Sequence, residues 1–164
     1  MSLSEDRNRP PLPHAMDVTF GIESPPVAQP RSRTPRFGGR PYVPSDHPVH
    51  EWKRLVRTAA SIAYDAETPH YGPVVVGMQF LMPRPKYHGK KRGSTTEPHL
   101  GRPDADNLAK AVLDALTGLL WVDDQQVFCL SVVKLFVERS RSPGVVVDVE
   151  LYHSGEPGEN FEVN

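Results

Sequence analysis

The 164-residue chain has a single cysteine, Cys129, which excludes an internal disulfide framework and a cysteine-based zinc site. No apolar run approaches the roughly 20 residues that cross a bilayer, so no membrane partner is expected. The first 16 residues lack the apolar core of a secretory signal. No Gly-rich loop ends in Lys-Ser or Lys-Thr, and no dinucleotide fingerprint is present, so an organic cofactor is not expected. The seven histidines are scattered, and the close pair His47 and His50 has no third ligand near it in sequence. An excess of either charge is missing too: 19 Lys and Arg stand against 20 Asp and Glu. The expectation is one soluble, intracellular domain without internal repeats.

Proline, by contrast, is abundant. Of 18 prolines, ten fall within the first 48 residues, so this part of the chain cannot be continuous helix or central strand. Residues 1–16 read as a disordered Pro-rich arm and residues 154–164 as a flexible acidic tail, leaving 17–153 as the folded domain.

The balanced total hides segregated charge. Arg31 to Arg57 carries seven basic residues against two acidic, and Arg84 to Arg102 carries six against one. Between Asp104 and Asp124 five aspartates face the single Lys110. Basic loops flanking an acidic knot suit a polyanion held by the loops and a cation held by the carboxylates.

Periodicity places these segments. A weakly alternating strand is expected over Asp17–Ile22. An amphipathic helix follows from about Val49 to Tyr64, with Pro48 at its first turn and Lys53, Arg54 and Arg57 pointing away from the apolar stripe. Pro73–Met82 reads as a core strand. A second helix runs from Asp104 or Asp106 to Leu116, with Gly118 as its stop. Leu119–Val122 leads into Asp123-Asp124, and strands follow at Val127–Val137 and Val145–Leu151. The order β-α-β-α-β-β gives an α+β fold with helices packed on a mixed or antiparallel sheet.

The chemistry concentrates between Arg102 and Lys110, together with Asp123-Asp124. Pro103 disfavours α geometry at Arg102, so the helix is entered at Asp104. Asp104 and Asp106 then stand at a helix N-terminus, where free amides and the dipole favour negative charge. One aspartate there is an ordinary N-cap. A second two residues on, and a further pair after an excursion able to fold back, ask for another explanation. Converging carboxylates repel unless a cation lies between them, and hard oxygen donors without His or Cys suit Mg2+ or Mn2+. Lys110 follows Asp106 by four residues on the same helix face. It is either a surface partner of Asp106 or Asp114, or an ammonium set beside a bound phosphate. An EF-hand loop fails, because Leu108 and Ala109 stand where an oxygen ligand and a glycine are required.

The stretch Arg102 to Leu116, then Asp123-Asp124-Gln125-Gln126-Val127 and Lys134, resembles the RusA-type Holliday junction resolvases. The likeness runs from about Asp17 to Leu151. It implies an endonuclease that acts as a homodimer on four-way DNA junctions with Mg2+ or Mn2+, serving recombination and repair. Such enzymes are common in phages and prophages, which implies the cytoplasm of a bacterial cell or phage-infected host. It also implies that Asp104, Asp106 and Asp124 are the metal-binding catalytic acids, with Asp123 beside them and Lys110 needed for cleavage. Asp123 is expected either to share the metal as a fourth ligand or, with Asn107, to support these. DNA contacts are expected from Arg31, Arg33, Arg36, Arg40, Arg84, Lys86, Lys90, Lys91, Arg92 and Arg102. Lys134, inside an apolar strand, is either a snorkelling edge residue or a contact to DNA or the aspartates. Two alternatives stay open: a nuclease for other branched DNA such as flaps and forks, and a non-catalytic DNA-binding module.

Overall fold

Val18 and Phe20 are the buried positions of the first strand, β1 (His14–Ile22), whose other side chains are largely exposed. The computed structural model describes residues 14–85, 97–138 and 140–153. Most of the N-terminal arm, the acidic tail and the basic residues Lys86, Lys90, Lys91 and Arg92 lie outside them. β1 begins three residues before the expected Asp17, because the last strand extends far enough to pair His14 with Tyr152.

After the Pro-rich segment, α1 (Pro48–Ala63) starts where expected. His47 is its N-cap, its Nδ1 accepting from the Val49 amide at 3.1 Å, and Pro48 loses no hydrogen bond in the first turn. Val49, Trp52, Val56 and Ala60 form its buried stripe. Lys53 and Arg57 do not point away as the helical wheel suggested. They reach across to the second helix, α2 (Ala105–Leu116), where Lys53 meets Asp114 at 2.8 Å and Arg57 donates to the Ala115 carbonyl at 2.9 Å.

β2 (Val74–Met82) is buried on both faces, as a central strand should be. It lies in a five-stranded mixed sheet with β3 (Glu97–Pro98), β4 (Val127–Phe136) and β5 (Gly144–Tyr152), in the order β1-β5-β2-β4-β3. β5 is antiparallel to β1 and β2, whereas β2 and β4 run parallel. The parallel pair requires a crossover, and α2 supplies it. Both helices cover one face of the sheet, packing Trp52, Val56, Leu108, Val112 and Leu116 on Val76, Met78, Phe80, Val147 and Val149. The α+β reading and its element order hold. The addition is β3, two residues held on the end of β4, too short for any periodicity to show.

Candidate active site

Asp104 is the N-cap of α2, with extended backbone (φ −72°, ψ 148°), and its carbonyl accepts from the Leu108 amide at 3.2 Å. Its carboxylate makes no capping hydrogen bond. An N-cap aspartate ordinarily accepts from the amides of the first turn, so this side chain is left available. Asp106 stands in the same turn and accepts only from Asn107 Nδ2, at 3.3 Å, among the described residues. The loop entering α2 is fixed from behind by Lys134, whose Nζ donates to the carbonyls of Gly101 and Pro103, each at 2.6 Å. The ammonium is thus committed to backbone next to Asp104, which makes Lys134 a support for the acid and not a free contact for DNA. His99 packs edge-on against Phe136, and its amide donates to the Lys134 carbonyl at 2.9 Å. Its Nδ1 is buried without a partner among the described residues. Burial first, and the Lys134 charge second, hold the His99 imidazole below its ordinary pKa, partly offset by its own backbone hydrogen bond.

Asp123 and Asp124 are built differently. Asp123 caps a single 3-10 turn, Asp124–Gln126, accepting from the Gln125 amide at 2.9 Å, while Gln126 Oε1 accepts from the Asp123 amide at 2.9 Å. Gln126 Nε2 in turn donates to the carbonyls of His70 and Gly72, at 2.9 and 2.8 Å, tying this turn to the start of β2. Asp123 therefore spends its carboxylate on structure. Asp124 is exposed, and its carboxylate has no partner among the described residues.

The two acidic groups do not meet within one chain. α2 runs back along β4, so Asp104 and Asp106 lie near the end of β4 while Asp124 lies before its start. The 12 residues of α2 span about 18 Å. Among the described residues, no three His, Cys, Asp or Glu side chains are grouped closely enough to hold a metal ion. Asp104 and Asp106 alone offer hard oxygens of the right kind, and Mg2+ is commonly held by one or two carboxylates completed by water and substrate phosphate. The pair fits that ion, and the third carboxylate is missing from its side. Lys110 lies 3.6 Å from Asp114, four residues on, with its side chain 60% exposed. That is the weak surface pairing, free to exchange for a phosphate.

Of the basic residues, Arg31, Arg33, Arg36 and Arg40 are exposed in the loop before α1. Reciprocal backbone bonds between Arg33 and Tyr42, at 2.7 and 3.0 Å, close that loop, and the Gln29 amide donates to the Asn107 carbonyl at 2.8 Å. The basic loop is thus tethered to the turn that carries Asp106. At its tip Phe37 is 97% exposed, beside Gly38 (φ 84°) and Gly39 (φ 134°). Sequence reading passed over Phe37, although an aromatic between Arg36 and Arg40 in a Gly-containing loop was a legible signal of base contact. Arg102 is exposed next to Asp104. Arg84 is not available: its side chain is 4% exposed, bonded to Glu97 and the Val137 carbonyl and lying over the Phe136 ring. Arg57 was also underrated, since its guanidinium closes the C-terminal end of α2 on the carbonyls of Ala115, Thr117 and Gly118.

Comparison with known proteins gives two findings. The family model described as Endodeoxyribonuclease RusA matches residues 23–150. The chain is also 33% identical over 138 residues to the uncharacterized protein YqaN of Bacillus subtilis (strain 168), covering 80% of this chain and 96% of that one. No described helix is long and apolar enough to cross a membrane.

Proposed function

This chain belongs to the RusA endodeoxyribonuclease family, and on that premise we propose that it resolves four-way DNA junctions by divalent-metal-dependent phosphodiester hydrolysis, acting as a homodimer. The observation that carries the assignment of the site is the Asp104 carboxylate, left without a capping bond at a helix N-terminus, with Asp106 in the same turn. Asp104 and Asp106 would hold Mg2+ or Mn2+, which when bound polarises the phosphoryl oxygens and lowers the pKa of a water.

The chain's own residues do the rest. Lys134 fixes the entry to α2, so that Asp104 is presented in one geometry. Lys110 trades its loose pairing with Asp114 for the scissile phosphate, where its charge opposes the negative charge of the transition state. Asp123 holds the turn that carries Asp124. Arg31, Arg33, Arg36, Arg40 and Arg102 take the phosphate backbone, which confers affinity without reading sequence. Phe37 offers a ring on which an unpaired base at the branch point can stack.

The test is Asp106→Asn, assayed on four-way, three-way, flap and linear duplex DNA with and without Mg2+. Junction binding is expected to persist while Mg2+-dependent cleavage falls at least a hundredfold. Undiminished cleavage by this variant overturns the site. Wild-type preference for flaps or forks over four-way junctions overturns the substrate.

A further inference from the structure

The face of the sheet turned away from the helices carries a cavity of about 560 Å3 at one end, within the size range of small-ligand sites. Val76, Met78 and Phe80 of β2 point into the core, so Leu81 faces the other way. With it stand its β5 partner Gly144, then Val146, and Gly21 of β1, which pairs with Val146. Two of these four floor positions are glycines, which leaves the floor low and apolar. Glu23 lines the cavity from the end of β1. Ser140, Arg141 and Ser142 line it from the connection between β4 and β5, where the Arg141 amide donates to the Glu138 carbonyl at 3.0 Å. The side chains of Glu23 and Arg141 have no partner among the described residues, and no ion pair joins them. The cavity opens at the end of the sheet where β1 passes into the arginine loop and where Lys134 holds the entry to Asp104.

We propose that this cavity takes an unpaired guanine of the bound DNA, the ring lying on the floor with Arg141 and Glu23 at its edges. The inference rests on the nuclease reading for the source of the base and not for its capture. A guanidinium only donates and an ionised carboxylate only accepts, so the occupant must offer acceptors to one and donors to the other. A carboxylate on the rim above an apolar floor opposes a bare phosphate and suits a ring with polar edges. Guanine alone among the four bases has both a pair of neighbouring acceptors, O6 and N7, and a pair of neighbouring N–H donors, at N1 and N2. Arginine meets the first pair with a bidentate contact, and a carboxylate can meet the second in the same way. The N1 and N2 donors lie on the pairing edge, free only when the base has left its partner. Leaving the stack costs least where stacking is already interrupted, as it is at the centre of a junction.

Titration of the wild-type protein with dGMP, dAMP, dCMP and dTMP in the absence of metal, followed by amide NMR shifts at Gly21, Arg141 and Gly144, tests the capture apart from any cleavage. dGMP is expected to bind about tenfold more tightly than each of the others, and dIMP, which lacks the N2 amine, should lose most of that preference. Glu23→Ala and Arg141→Ala should each bring dGMP down to the level of dAMP with unchanged circular dichroism. Ser142→Trp, which puts a ring of the protein's own in the mouth, should block dGMP as well, and decides the matter if either charge substitution fails to fold. Equal affinity for all four nucleotides, shifts at none of the three amides, or a dGMP preference that survives these substitutions overturns the proposal. The source of the base is tested on four-way junctions with Mg2+: inosine in place of guanine at the branch point should slow wild-type cleavage several-fold and leave Arg141→Ala unaffected. A protein that prefers dGMP but treats the two junctions alike binds a free nucleotide, which overturns capture from DNA. If the wild type cleaves no junction, the nuclease reading falls, and its relative affinity for the guanine and inosine junctions decides the inference in place of the rates.

Discussion

Asp104 and Asp123 occupy the same kind of position, the residue before a helical turn, and the sequence offers no way to tell their carboxylates apart. The structure separates them by hydrogen bonding: Asp123 accepts from the Gln125 amide, and Asp104 accepts from no amide of its turn. Their substitutions should therefore fail in opposite ways. Asp123→Ala is expected to cost about 1 kcal/mol of stability, the usual worth of an N-cap, with a partial loss of cleavage. Asp104→Asn should leave the melting temperature within about a degree, since no bond is lost, while abolishing cleavage. Thermal denaturation and a junction assay on the two variants check both. His99 adds a pH dependence. Its imidazole is held below the ordinary value of about 6.5, so the unfolded chain binds the proton more readily. The stabilising contribution is complete above that ordinary value and is lost as pH falls through the folded-state value. His99→Phe should flatten the part of the melting-temperature profile that declines on acidification below neutrality. A profile identical to wild type would remove His99 as its cause.

At the scale of elements, the sequence was most legible where one periodicity ran long enough to repeat. Both helices sit within a residue or two of where apolar spacing and Pro48 put them, and Gly118, at φ 73°, marks the end of α2 as expected. What could not be read was anything set by a distant partner. β1 gains three residues because β5 is long, and β3 exists because the end of β4 offers two pairing positions. Within one chain the convergence expected of Asp104, Asp106 and Asp124 is not seen, for the same reason. A crossover helix between parallel strands returns the chain to the starting end of the sheet, so residues on either side of it sit at opposite ends. One position between elements is tight: a Cβ on Gly144 would stand 2.1 Å from the Ile22 carbonyl oxygen, where β5 begins against β1. Gly144→Ala is expected to cost about 3 kcal/mol through displacement of backbone, measured by urea denaturation.

For the whole molecule, a formal charge of −1 argues against general affinity for DNA, and the distribution of charge argues for it. The exposed Arg31, Arg33, Arg36, Arg40 and Arg102 stand on loops, and Asp104, Asp106 and Asp124 stand at the starts of helical turns, so the charges a polyanion would meet are separated from those a cation would meet. The loop carrying Arg36, Phe37 and Arg40 is tethered to the first turn of α2 by the Gln29–Asn107 bond, which places charge, ring and carboxylates in one mechanical unit. Two kinds of contact from one loop can be told apart by salt. Each phosphate contact releases condensed counterions, so Arg36→Ala with Arg40→Ala should reduce the slope of log affinity against log salt by about 2, for junction and duplex alike. Stacking displaces no counterion. Phe37→Ala should leave that slope unchanged while weakening junction binding by about 1–3 kcal/mol, because only a branch point presents an unpaired base to the ring. Duplex binding by Phe37→Ala should match wild type at every salt concentration. Equal loss on duplex and junction would mean that the exposed ring merely shapes the arginine loop, and that branch recognition lies elsewhere on the molecule.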